Sequence, residues 1–212
     1  MMDMDVFAWL LDAVFPPRES ERAVRHATLD ELCILIRPFL IESAGVPVTA
    51  LLPYRSLLVQ AAIQEAKFHR NTRAALLLGG VLRDYLLELS SEEAGLSRKV
   101  VLIPIPLSQK RRAERGYNQV EKILAAARGA DTDVPLDSSL LSRARDTLPQ
   151  TTLTREARLK NMNNAFVSAP ADPSVTYVVI DDVTTTGATL RDAVRALTDA
   201  GATHIIPLAL AH

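Results

Sequence analysis

Two adjacent carboxylates, Asp181 and Asp182, follow the apolar run Tyr177–Ile180 and lead into Val183 and then Thr184-Thr185-Thr186-Gly187-Ala188-Thr189. Like charges side by side in a partly desolvated site repel, so such a pair is costly unless a ligand uses it. A vicinal diol does so by donating each hydroxyl to a carboxylate, and a nearby Mg²⁺ further offsets the charge. Gly187 permits a tight turn and close backbone approach. A helix starting there turns unpaired N–H groups and the positive end of its dipole outward, which suits a phosphate. The threonine hydroxyls add donors without adding charge. A diol clamp and a phosphate cradle a few residues apart match a ribose 5-phosphate. The alternative is a strand, turn and helix whose Asp and Thr residues only cap, but capping needs one such residue or two. Neither GxxxxGK[ST] nor GxGxxG occurs in the chain.

Two further segments carry cations. Val101–Gln119 runs from an apolar stretch through Pro104 and Pro106, then Leu107 and Ser108, into Lys110, Arg111, Arg112 and Arg115. The prolines stiffen a strand exit, and arginines there can meet a diphosphate with bidentate contacts. A solvated basic helix start would read the same. Leu141–Phe166 is long, polar and basic, with Arg143, Arg145, Gln150, Arg155, Arg158 and Lys160. It reads either as a mobile loop that closes over a diphosphate or as an exposed helix with charged faces.

The elements that must position these residues follow from periodicity. Asp3–Phe15 is amphipathic and stops at Pro16-Pro17; Trp9 anchors it. Thr28 and Glu31 have capping-box spacing before a helix expected over Leu29–Ser43. Val48–Leu52 has strand character, and helices are expected over Ser56–His69 and Thr72–Ser90. Val100–Ile105, Val175–Ile180 and His204–Leu210 are continuous apolar runs that suit strands buried on both faces. Helices are expected over Asn118–Arg128 and Thr189–Ala200, the latter ended by Gly201. Strand alternating with helix predicts an α/β fold with a mainly parallel twisted sheet flanked by helices and a small helical N-terminal appendage. The expected division is 1–45 for the appendage and 46–212 for the main domain.

The chain has 212 residues, 48% hydrophobic and 23% charged, with a formal net charge of −1, so it is a folded protein with no global attraction to nucleic acid or membrane. Cys33 stands alone, which excludes an internal disulfide and points to a cytoplasmic setting. No apolar run approaches the roughly 20 residues of a membrane span. His69 and His204 read as structural or exposed.

The segment VVIDDVTTTGAT resembles the 5-phosphoribosyl diphosphate (PRPP) motif of type I phosphoribosyltransferases. PIPLSQKRRAERGYNQ, LSRARDTLPQ…R…N…AF, and Tyr54 with Lys67-Phe68 resemble the ComF/GntX-like branch of those enzymes, over about Phe15 to His212. The resemblance implies a type I phosphoribosyltransferase-like fold and displacement of diphosphate from PRPP by a nitrogen acceptor, with Mg²⁺ as cofactor. It puts Asp181 and Asp182 on the ribose as the catalytic pair. Val183, Thr184, Thr185, Thr186, Gly187, Ala188 and Thr189 complete the ribose and 5-phosphate site. The diphosphate falls to Pro106, Leu107, Ser108, Arg111, Arg112 and Arg115, and a flexible loop is implied at Arg143, Arg145, Gln150 and Arg158.

Two departures narrow the expectation. Members of this branch often carry two Cys-x-x-Cys pairs, but here Arg18 and Glu21 fall at the first pair and Ile36 replaces the last cysteine beside Cys33, so no zinc is expected. Thr185 stands where 6-oxopurine enzymes have an acidic residue, and threonine is a poor proton acceptor, which argues against hypoxanthine or guanine as acceptor. The second reading is a non-catalytic accessory protein of competence and DNA uptake that senses PRPP or a nucleotide or engages single-stranded DNA. Aromatics make up only 5% of the chain, a thin basis for stacking bases. The expected partners are PRPP and a small-molecule acceptor, with single-stranded DNA and a second copy of the chain left open, and no membrane.

Overall fold

The structure is a computed structural model that describes residues 17–95, 98–128, 134–144 and 165–212. Its centre is a five-stranded sheet built from β1 (Phe39–Ser43), β2 (Val46–Leu52), β3 (Lys99–Pro104), β6 (Val175–Val183) and β7 (His204–Ala211), in the order β1-β2-β7-β6-β3. β1 pairs antiparallel with β2, and every other pairing is parallel. The fold is therefore α/β with a mostly parallel sheet, as the apolar runs predict.

Alternation along the strands builds two cores. Tyr177 and Val179 of β6 pack with Leu190, Ala193 and Leu197 of helix α7 (Ala188–Asp199) on one face. Val178 and Ile180 join the opposite core. That core holds Val59 and Ile63 of α3 (Leu57–Phe68), Leu78 and Leu82 of α4 (Thr72–Gly95), and Ile123 and Leu124 of α6 (Gln119–Arg128). A period of two in the strands and burial on both faces explain why these runs lack polar residues. Among the described residues no helix is long and apolar enough to cross a membrane.

The N-terminal part is helical only at first. The charged stretch after Pro17 forms α1 (Glu19–His26), and Val24 lies in the larger core. Arg73 donates to the Val24 and Ala27 carbonyls and so caps the end of α1. The Thr28–Glu31 capping box forms, with the Glu31 N–H on Thr28 Oγ1 at 3.3 Å and the Thr28 N–H on Glu31 Oε2 at 2.8 Å. The helix it starts, α2 (Leu29–Cys33), is short, and the expected continuation to Ser43 is corrected. Phe39–Ser43 is instead the edge strand β1, which turns through Ala44-Gly45 into β2. Pro38 cannot donate a helical hydrogen bond, and alternating half-buried and exposed side chains suit an edge strand. The expected division at 45/46 falls in this turn.

A small antiparallel ribbon, β4 (Leu141–Arg143) with β5 (Phe166–Ser168), packs under α7 through Leu141 and Phe166. The Ala144 N–H donates to the Ala165 carbonyl, where the ribbon ends. Asp3–Phe15, Trp9, Arg145, Gln150, Arg155, Arg158 and Lys160 lie outside the described residues.

Candidate functional site at the carboxyl edge of the sheet

β6 runs further than its apolar stretch, through both carboxylates to Val183. The pair therefore sits on a strand that still bonds β7, with Asp181 opposite Ala209, rather than on the turn beyond it. Asp182 is buried, on the side of the sheet covered by α3 and α6. Its Oδ2 accepts from Gln119 Nε2 at 2.8 Å and lies 3.1 Å from Lys67 Nζ. A buried carboxylate needs such partners, because desolvation without them would neutralise it. Asp181 is half-buried, and its Oδ1 accepts from the Asp182 N–H at 2.9 Å. Burial first, then the charge of Asp182, pushes the Asp181 carboxyl up to about 7, against a smaller downward pull from the Asp182 N–H and Lys67. The pair thus holds one carboxylate fixed by Lys67 and Gln119 and one group that exchanges its proton near neutrality.

The loop after the pair is built by its own residues. The Thr184 N–H donates to the Ala211 carbonyl at 2.9 Å, and Thr184 Oγ1 accepts from the Gly187 N–H at 3.0 Å. His212 Nδ1 lies 3.0 Å from the Thr184 carbonyl oxygen. Thr184 is thus a buried turn residue, whereas Thr185 and Thr186 are exposed. Gly187 precedes α7 with φ +72°, and a Cβ there would stand 2.8 Å from Ser43 Cβ. Both conformation and space demand glycine. The first turn of α7 contains no acidic residue, and Gly187 brings no side chain to its N–H groups. No side-chain cap closes this terminus, which begins beside the exposed Thr185 and Thr186, with Ala188 and Thr189 half-buried on the helix.

β3 leaves the sheet next to β6, where the Ile105 N–H still donates to the Ile180 carbonyl at 2.9 Å. Pro106, Leu107 and Ser108 follow, half-buried. Ser108 caps α5 (Gln109–Arg115), its Oγ accepting from the Arg111 N–H at 3.3 Å. Arg111 and Arg112 are exposed on that helix.

The Arg-Gly-Tyr-Asn-Gln run is a clamp. Asn118 Nδ2 donates to the Ile105 carbonyl at 3.0 Å while its Oδ1 caps α6 through the Val120 N–H. Gln119 accepts from Arg115 Nη1 at 3.1 Å and donates to Asp182, so Arg115, Gln119, Asp182 and Lys67 form one chain. The Tyr117 hydroxyl donates to the Ala66 carbonyl at 2.7 Å and accepts from the Arg70 N–H at 3.1 Å.

The structure brings Asp181, Asp182, Thr184–Thr189 and the Pro106–Arg115 segment to adjacent strand exits. Arg143 is the last residue of β4 rather than part of a loop; its Nε donates to the Pro106 carbonyl at 2.9 Å and its guanidinium lies over the Phe166 ring. Sequence reasoning missed Lys67 and Gln119 as partners of the pair. It also missed Glu65, wholly buried on α3, which binds Arg18, Ser20 and Asn71. Arg18 thus secures α1 by an ion pair at 3.1 Å. Cys33 is half-buried against the larger core, and burial pushes its thiol up.

Fold and site define an α/β protein with an acidic pair and an open helix terminus at the carboxyl edge of its sheet, where such folds bind ligands. No protein-family model matches the chain. It is similar to Competence protein F of Haemophilus influenzae, 30% identical over 153 residues that cover 71% of this chain and 64% of that protein. The DNA utilization protein YhgH of Escherichia coli O157:H7 is 32% identical over 142 residues, 66% of this chain and 61% of that protein. Competence protein ComFC of Streptococcus pneumoniae is 31% identical over 122 residues, 58% and 52% of the two chains. The chain belongs to the ComF family. It spans a little under two thirds of the first two relatives' length.

Proposed function

We propose that this chain binds PRPP at the β3 and β6 exits and serves as an accessory protein in the uptake or use of DNA, working in the cytoplasm. The observation that carries the ligand is the acidic pair standing one short turn from an open helix terminus. The relatives' names, competence and DNA utilization, support the cellular role. In this reading the fold is that of a type I phosphoribosyltransferase. Asp181 and Asp182 take the ribose hydroxyls, and Thr185, Thr186 and the first N–H groups of α7 take the 5-phosphate. The Pro106–Ser108 backbone and Arg111, Arg112 and Arg115 face the diphosphate.

Mg²⁺ fits this site, because adjacent carboxyl groups offer hard oxygen donors and a neighbouring dication would draw the proton from Asp181, whose carboxyl is pushed up to about 7. When bound it would supply positive charge that neutralises the leaving group. Lys67 and Gln119 hold the Asp182 carboxyl group in position.

Phosphoribosyl transfer to a nitrogen acceptor is the second reading. The same pair and helix terminus would hold the ribose while diphosphate departs, and positioning with electrostatics would supply the rate. Titration of the protein with Mg²⁺–PRPP in a calorimeter tests the shared claim; saturable heat is expected, and its absence overturns both readings. Release of diphosphate in an acceptor screen would favour the second reading over the first.

A further inference from the structure

An open cleft of about 530 Å³ lies at the corner between the end of α3 and α5, lined by Phe68, His69, Arg70, Arg111, Glu114, Arg115 and Tyr117. It holds an exposed aromatic and guanidinium groups with little acidic compensation. Phe68 is 58% exposed although Arg115 lies over its ring at 4.9 Å. Arg70 and Lys122 lie over the Tyr117 ring at 5.1 and 4.6 Å. Glu114, the cleft's acidic residue, is 3.9 Å from Lys110. Arg111 is exposed.

The backbone is bent to keep this arrangement. Arg70 adopts a left-handed conformation with φ +53°, uncommon for a residue with a side chain. It is held there by its N–H on the Tyr117 hydroxyl and by Nη2 on the Arg115 carbonyl at 2.9 Å. Gly116 makes room, since a Cβ there would stand 2.5 Å from Arg70 Nη2. Strain that fixes a surface arginine beside an exposed ring has no counterpart in core packing.

We infer that this cleft docks single-stranded nucleic acid, with a base against Phe68 and the flanking phosphates on Arg70 and on Arg111 and Arg115, two arginines that the PRPP diphosphate would share. The inference rests on the accessory reading above and gives it a surface. Guanidinium groups bind phosphate in a fixed fork, and an exposed ring accepts any base whose face is free, which a single strand offers and a duplex hides. A lipid surface would match the cations and leave the concave ring unused. The sparse aromatics of the chain do not prevent this, because the fold gathers Phe68 and Tyr117 beside the arginines from different elements.

The test is anisotropy of labelled single-stranded oligodeoxynucleotides of graded length, titrated with the full chain at several salt concentrations. Affinity should rise with length and exceed that for duplex of the same length. Phe68→Ala should weaken binding by roughly 5- to 100-fold, the range for one stacked base. Arg111→Ala should reduce the slope of log affinity against log salt by about 0.7. Both residues are exposed, so both variants should fold, which circular dichroism checks. Equal affinity for duplex, full competition by a mononucleotide, preference for anionic vesicles, or unchanged binding in both variants would overturn the inference. PRPP calorimetry in parallel separates the claims: PRPP heat without oligonucleotide binding removes this inference alone, and the converse removes the PRPP reading alone.

Discussion

Replacing Asp181 by Asn tests the electrostatics of the acidic pair without changing its shape. In the folded chain the Asp181 carboxyl is raised from 3.8 to about 7 by burial and by Asp182. The unfolded chain therefore releases this proton at lower pH than the folded one. Between about pH 4 and about pH 7 the native state holds more protons, so stability falls as pH rises and is level above about 7. A difference of about 3 pH units, at 1.36 kcal/mol per unit, sets an upper limit of about 4 kcal/mol. Partial exposure of Asp181 makes the real figure smaller. Asn has no proton to lose, so Asp181→Asn should match wild type near pH 4, gain on it up to about pH 7 and hold that gain to about pH 8. Urea unfolding of both proteins across that range measures the gap. Lowered carboxylates such as Glu65 and Asp137 act with the opposite sign, losing their stabilisation as pH falls, but they are common to both proteins and cancel. Parallel stability curves would refute the reasoning. Ligand binding is linked to the same proton: if PRPP needs the ionised pair, its affinity should climb with pH up to about 7 and then level.

Three further outcomes follow from single contacts. Lys67→Met leaves Asp182 buried with Gln119 and the Val183 N–H but without its lysine, which should cost about 3–5 kcal/mol in denaturant unfolding; adding Asp182→Asn should recover most of it, and no recovery would contradict the pairing. Gly187→Ala forces a side chain into a left-handed position and against Ser43, so it should lose more than about 1–2 kcal/mol, visible as a lower Tm. Arg18→Ala removes the ion pair from Glu65, whose carboxyl Arg18, Ser20 and Asn71 hold below its ordinary range against the opposing effect of burial. Its destabilisation should be full near neutral pH and shrink as Glu65 protonates in acid; a loss independent of pH would assign Arg18 to packing alone.

The central strands were legible because a strand buried on both faces has no room for polar residues, which makes Val175–Ile180 and His204–Leu210 stand out. The edge strand β1 was not. Phe39–Ser43 is half exposed, its alternation is short, and its apolar residues also fit a helical period. The Asp-Asp and Thr-rich segment was legible because its residue types are costly without a use. Lys67 and Gln119 were not, because a lysine and a glutamine on helices are ordinary, and only the fold carries them to Asp182. The same holds for the cleft: the resemblance marks Phe68 and Tyr117 without giving them a contact, Arg70 carries no signal, and the three meet because α3 ends where the chain passes from α5 to α6. The basic cluster of 110–115 was visible, yet its division was not: Arg115 bonds Gln119 and lies over Phe68, whereas Arg111 is exposed in the cleft.

The most direct measurement is calorimetric titration of Mg²⁺–PRPP at about pH 8, above the raised value of about 7 for Asp181, into wild type and the Asp181→Asn/Asp182→Asn double variant. Saturable heat from the wild type and none from the variant is the result predicted by a ribose held on these two carboxylates. Equal heats from both proteins, or none from either, would contradict it.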